Sequence, residues 1–311
     1  MNITRSILLK MSQNQWLKDH VPRWKFTRRA VRRFMPGETV EDALDAAAVF
    51  EREGIPAVFT RLGENSTQLE EAEEVREHYL DTAGKIAGRG LSTEISVKLT
   101  HLGLDLSVDA PFQYCKEIAA KANKLSGNDF FIDMEGSAYV QRTIDLYLLL
   151  KRELDNVGLC IQASLHRTEK DLDDLFEVDG SLRLVKGAYK EPPDVAIQSK
   201  RKVDEHCFVL SQKMLRRTKQ HGTRMIYATH DDKLIGRIIE EAKKIKLPND
   251  QVEFQMLYGI KTGLQRQLVR DGYKVRVLIA YGESWYPWYM RRLAERPANV
   301  LFVLRNAVFR G

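Results

Sequence analysis

The chain has 311 residues, 43% of them apolar, with a formal net charge of +6 and a pI near 9.1. This length suits one barrel-sized domain plus an extension, and the composition is that of an ordinary globular protein. The charge excess is mild, 49 basic against 43 acidic residues, and no nucleic-acid-binding module is present, so no nucleic-acid partner is expected.

Residues 1–54 read as a helical extension. Its segment ITRSILLKM is too short and too polar-flanked for a signal peptide or a membrane span, and no other apolar run reaches spanning length. The basic stretch RWKFTRRAVRRF (23–34) reads either as a solvated helix face or as a contact for an anionic membrane surface or a partner. TVEDALDAAAVFEREG (39–54) spaces its apolar residues helically, opens with acids and closes on glycine.

From residue 55 onward, short apolar runs alternate with helical stretches. The runs are AVFTRLG (57–63), STEISVKLT (92–100), DFFIDME (129–135), VGLCIQA (157–163), SLRLVKG (181–187), RMIYATH (224–230), VEFQMLYG (252–259) and KVRVLIAYG (274–282). Such alternation predicts βαβ units and a parallel sheet. Eight strands can close into an α/β fold, a (βα)8 TIM-like barrel spanning 55–311. The helix at 66–90 should open on a Ser/Thr cap, and its acidic run should be a solvated face. SWYPWYMRRLAERP (284–297) predicts a last helix stopped by Pro297. The tail NVLFVLRNAVFRG is expected to pack on the barrel or on a contact between copies. Cys115, Cys160 and Cys207 show no metal-ligand or disulfide spacing, which fits a reducing cytoplasm, and Cys160 should simply be buried.

In such barrels chemistry sits at the carboxyl ends of the strands, where Lys98, Asp133, Gln162, Lys186, His230 and Tyr281 fall. Strand alternation puts Ser96 and Lys98 on one face, and Phe131, Asp133 and Glu135 on another. An inward Lys98–Asp133 pair would satisfy two buried charges, as a structural ion pair or as the floor of a pocket for a charged small molecule. Arg183 and Lys186 have opposite parity, so a regular strand cannot send both inward. Lys186 with the backbone of Gly187 and Ala188 could approach a phosphate. Thr229, beside His230, could cap the next helix. On the last helix, Arg291 and Arg292 lie four and three residues before Glu295, a spacing that also fits surface pairs. Placed after the final strand, the two guanidiniums suit a small carboxylate, with Tyr281 walling an apolar ring.

Together SVKLTHLG, IDMEGS, QASLHRT, RLVKGAYKEP, YATHD, EFQMLYGI and AYGESWYPWYMRRLAERPAN resemble the proline dehydrogenase family in order and spacing. The resemblance implies a distorted (βα)8 barrel with bound FAD that oxidises L-proline to Δ1-pyrroline-5-carboxylate and passes electrons to a membrane quinone. It implies that Lys98, Arg291 and Arg292 bind the substrate carboxylate, and that Leu257 and Tyr281 wall its ring. Asp133 is then a catalytic-pocket acid, and Arg183 and Gln162 lie near the flavin ring. Met134, Lys186, Gly187, Ala188, Thr229, His230 and Glu295 are the remaining flavin-side positions, and Glu64 closes over the site against Arg291. Ala280 stands where the family often has proline, and Ser164 where an aromatic is common.

The chain leaves no room for a fused aldehyde dehydrogenase or DNA-binding domain. A separate pyrroline-5-carboxylate dehydrogenase is therefore the expected partner, with a homo-oligomer also open. A cytoplasmic protein, peripheral at the inner face of the membrane, is the expectation. Two other readings of the residues remain: a class I aldolase-like barrel with Lys98 or Lys186 as Schiff-base amine, and a non-catalytic flavin-binding barrel.

Overall fold

The computed structural model describes residues 31–295, together with 14–21 and the single positions 8, 11 and 27. Eight strands form a closed parallel barrel in chain order. They are β1 (Ala57–Arg61), β2 (Glu94–Val97), β3 (Phe130–Ile132), β4 (Val157–Gln162), β5 (Ser181–Val185), β6 (Met225–Ala228), β7 (Glu253–Leu257) and β8 (Lys274–Tyr281). Each lies inside one of the eight apolar runs of the sequence. Closure comes from β1 on β8, with Ala57 opposite Val277 and Arg61 opposite Tyr281.

The intervening helices are α1 (Gln15–His20), α2 (Val40–Glu51), α3 (Leu69–Gly88), α4 (Ala110–Ser126), α5 (Val140–Lys151), α6 (Thr168–Leu175), α7 (Lys200–His221), α8 (Asp232–Lys244), α9 (Thr262–Arg270) and α10 (Trp285–Glu295). Helix α2 begins with a capping box between Thr39 and Asp42, which satisfies two otherwise orphaned backbone donors. The Ser/Thr cap expected at α3 is not formed. Gln68 occupies that place without a side-chain bond, and Glu71 reaches back to the Thr67 amide at 2.7 Å instead. Asp231, not Thr229, caps α8, accepting from the Lys233 and Leu234 amides. Helix α10 is where the sequence predicts a last helix. Pro297 and the apolar tail lie outside the described residues.

Alternation splits the side chains into two populations. One parity builds an apolar layer between strands and helices, from Phe59, Ile95, Ile132, Leu159, Leu184, Tyr227, Phe254 and Ile279 against the buried faces of α2–α5 and α7–α8. Burial of each such side chain contributes roughly 1.5–3 kcal/mol. The other parity faces the barrel axis, and near the amino ends of the strands it is ionic. Arg224 forks onto Glu253 at 2.8 and 2.6 Å, and also reaches Glu94 at 2.6 Å and Asp129 at 2.7 Å. Arg276 adds contacts of 3.3 Å to Glu94 and 3.5 Å to Glu253. A smaller second core joins Leu8, Val31, Phe34 and Met35 to Trp285, Tyr286, Trp288, Tyr289 and Met290. It holds the amino-terminal segment and α10 on one another.

Candidate active site

At the carboxyl end of the barrel the inward positions carry a polar lattice. Asp133, just past β3, forms an ion pair with Arg183 of β5 and accepts from the Ser96 hydroxyl of β2 at 2.8 Å. Arg183 also donates to Ser96 at 2.8 Å and to Gln255 of β7 at 3.3 Å. The guanidinium is only 2% exposed. Burial alone would lower its pKa, but the Asp133 carboxylate, together with Cys160 and Glu94, holds it above the ordinary arginine value. A charge kept this dry needs such a partner.

Lys98 stands beside this pair, its Nζ 3.8 Å from the other Asp133 oxygen. The expected Lys98–Asp133 contact therefore exists, but the close partner of Asp133 is Arg183. Strand parity sent Arg183 inward and Lys186 elsewhere, and that is the arrangement found. Lys186 is gripped at 2.6 Å by both Asp204 of α7 and Asp231. Burial would lower its pKa, but the two carboxylates reverse the effect, so the amine is held protonated. Its charge is matched by the protein, which corrects the picture of a lysine free to meet a phosphate. It also removes support from Lys186 as a Schiff-base amine, which must be neutral to attack.

The loops above the strands interlock. Gln162 donates to the carbonyls of Glu135 at 2.7 Å and Met134 at 3.3 Å, while the Met134 side chain joins the main apolar core. Glu135 accepts from the Thr100 amide at 3.0 Å and hydroxyl at 2.6 Å. Burial raises its pKa despite those bonds. Thr100 in turn takes the Asn65 amide on its hydroxyl at 3.1 Å and the Ser66 amide on its carbonyl at 3.1 Å. The loop carrying Glu64 is thereby tied to the β2 and β3 loops. Glu64 itself pairs with Arg291 of α10, one branch measuring 3.2 Å. Arg291 also lies over the Tyr189 ring, 6.0 Å from its centroid, and Arg292 lies 6.0 Å from the Trp288 ring.

Other expected positions fall as follows. His230 accepts the Leu257 amide at its Nε2, 2.8 Å away, and so ties β6 to β7. Thr229 accepts from the Asp231 amide at 3.2 Å. Leu257 is half-buried and in register with Leu278 of β8. Tyr281 does not wall the mouth. It shares parity with Val275, Val277 and Ile279, packs edge-on against Phe59, and bonds His78 of α3 at 2.9 Å. Its hydroxyl is thus buried under a helix on the outer side of the barrel. The inward β8 residues near the mouth are Leu278 and Ala280. Glu295 ends α10, and its side chain lies outside the described residues.

The sequence reading missed Tyr189, Thr100 and Gln255. Nothing local marks them, because each gains its role from a loop or strand distant in sequence. Gly187 has φ +103°, and a Cβ there would meet the Ser164 hydroxyl at 2.1 Å and Gln162 Oε1 at 3.1 Å. The bare glycine thus lets the Ser164 side chain pack directly onto the β5 loop backbone, which draws the β4 and β5 loops together. The buried Arg183 cation at the carboxyl end of β5 suits a flat ring that gains negative charge on reduction.

The proline dehydrogenase family model matches residues 43–305. Proline dehydrogenase 2 of Bacillus subtilis subsp. natto is 37% identical over 306 residues, covering 98% of this chain and 99% of that protein. Proline dehydrogenase of Deinococcus radiodurans is 33% identical over 283 residues, 88% of each. Among solved structures, proline utilization A from Bdellovibrio bacteriovorus inactivated by N-propargylglycine superposes with a TM-score of 0.79 at 21% identity, over 94% of this chain and 37% of that one. This last likeness is one of fold. With the family model spanning most of the chain and relatives above 30% identity over nearly all of it, the chain belongs to the proline dehydrogenase family.

Proposed function

We propose that this chain is an FAD-dependent proline dehydrogenase that oxidises L-proline to Δ1-pyrroline-5-carboxylate. Electrons then leave to a membrane quinone, and the product goes to a separate pyrroline-5-carboxylate dehydrogenase. The observation that carries the reading is the buried Arg183–Asp133–Ser96 lattice, with Lys98 beside it, on the barrel face that Arg291 and Glu64 close.

FAD, when bound, would supply the acceptor for a hydride equivalent from the carbon next to the substrate nitrogen. Gly187, Ala188, Gln162, Met134, Thr229 and His230 would hold it, with Arg183 placed to stabilise the charge that reduction adds. The protein's own part is binding and orientation. Arg291, Arg292 and Lys98 take the substrate carboxylate through charge-assisted bonds. Leu257, Leu278 and Ala280 offer the pyrrolidine ring an apolar wall. Asp133, already accepting from Arg183 and Ser96, helps hold Lys98 in place. Holding the ring in one orientation turns an encounter into an oriented reaction. Glu64 on Arg291 shuts the mouth and limits water. Among the described residues no helix is long and apolar enough to cross a membrane.

The test is to release the cofactor from purified protein by heat, identify it, and trap the cyclic imine formed from proline. FAD and the five-membered imine are expected. A different cofactor, or no imine, would overturn the reading.

A further inference from the structure

Two arginines on the barrel axis face the same aromatic ring. Arg183 Cζ lies 4.9 Å and Arg224 Cζ 5.5 Å from the centroid of Phe131. The ring is fully buried. It fills space that β4 leaves for it: Phe131 is in register with Gly158, where a Cβ would meet the ring at 2.4 Å. Toward the mouth, two residues past Phe131 and just beyond β3, is Asp133 with its partner Arg183. On the other side is the ionic floor, where Arg224 and Arg276 are shared among Glu94, Glu253 and Asp129. Glu94 Oε2 in that floor is buried without a hydrogen-bond partner. That spare oxygen is an acceptor on the barrel axis that could compete for the Arg183 guanidinium.

We infer that Phe131 is a positioning residue: its ring partitions the barrel axis and keeps the charge of Arg183 at the mouth, away from Glu94. The attraction of a cation to a ring face holds the guanidinium on the mouth side. An aliphatic side chain of similar size would fill the volume without that preference. Arg183 would then be drawn toward the spare oxygen of Glu94, and its charge would act less on whatever sits above Asp133. The inference rests on the reading of Arg183 as a flavin-side cation.

The experiment compares Phe131→Leu, Glu94→Gln, the double variant and Arg183→Met. The midpoint potential of bound FAD is measured in each, and the urea midpoint in cofactor-free protein. Phe131→Leu should make the potential more negative, Glu94→Gln alone should leave it near wild type, and the double variant should recover it. In cofactor-free protein Phe131→Leu, Arg183→Met and their combination should show non-additive losses of stability. Phe131→Met runs the same comparison should the leucine variant not fold. A fall that Glu94→Gln fails to reverse would reduce Phe131 to ordinary packing. An unchanged potential in Phe131→Leu, with a shifted one in Arg183→Met, would also overturn the inference. No shift in Arg183→Met would overturn the flavin-side reading and this inference together.

Discussion

Arg183 reaches Asp133 across the inside of the barrel, from β5 to the end of β3, and both also bond the Ser96 hydroxyl. Three strands are thereby joined by one charge pair and one hydroxyl at the point where the chemistry is proposed. Removing the carboxylate strands a guanidinium that is 2% exposed. Asp133→Ala should cost about 3–5 kcal/mol of folding stability, the range for breaking a buried pair. Lys98 is farther from Asp133, at 3.8 Å. Urea-denaturation cycles should therefore give a larger coupling for Asp133 with Arg183 than for Asp133 with Lys98. Equal couplings would contradict the assignment of Arg183 as the main partner.

Arg292, which also lies over the Trp288 ring, tests the proposed carboxylate site. Arg292→Met should remove a charge-assisted contact worth about 1.5–3 kcal/mol. That corresponds to roughly ten- to hundred-fold in kcat/KM, with bound FAD little changed. Steady-state kinetics with proline and a soluble acceptor provide the measurement. Near-normal kcat/KM would take Arg292 out of the substrate site.

The Glu64–Arg291 pair is partly exposed, 22% and 16% for the two side chains. Such pairs are worth about 1 kcal/mol or less. Glu64→Ala should thus change KM by at most about fivefold, and raised salt should narrow its difference from wild type. A loss of several orders of magnitude would mean that Glu64 touches the reacting groups rather than closing over them.

The histidines beneath the mouth predict acid sensitivity. His78 is pushed down to about 4, by burial first and by the Arg61 charge second. His101 is pushed down to about 3, by burial and then by Lys98 and Arg61. Unfolded histidines titrate near 6.5. As pH falls from about 6.5 toward 4, the unfolded chain takes up protons that the folded chain refuses, so stability declines. His101→Asn should lose less melting temperature than wild type between pH 7 and pH 5. Parallel losses in the two proteins would contradict this.

The ionic floor was not legible in the sequence, although the fold was. Eight strands could be read because each alternates and is bounded by helical stretches, and parity alone separated Arg183 from Lys186. Glu94, Asp129, Arg224, Glu253 and Arg276, by contrast, look like ordinary charges at the beginnings of strands. Only barrel closure brings β2, β3, β6, β7 and β8 close enough for them to share charge. Tyr281 misled for the opposite reason. Its place at the end of β8 suggests the mouth, but its odd parity turns it toward α3 and leaves Leu278 facing the axis. Arg224→Met should leave Glu94 and Glu253 with only the longer Arg276 contacts, destabilising the protein by about 3–5 kcal/mol with KM for proline nearly unchanged in the folded fraction. A raised KM at unchanged stability would place Arg224 in the substrate site instead.

Whether proline is oxidised at this barrel mouth is tested most directly by mixing FAD-loaded protein with L-proline in the absence of oxygen, and following the flavin absorbance through a single turnover. Wild-type protein should bleach fully, and Arg183→Met should bleach far more slowly while still binding FAD. A yellow protein that proline never bleaches, or an Arg183→Met variant that bleaches at the wild-type rate, would contradict the proposed chemistry at this site.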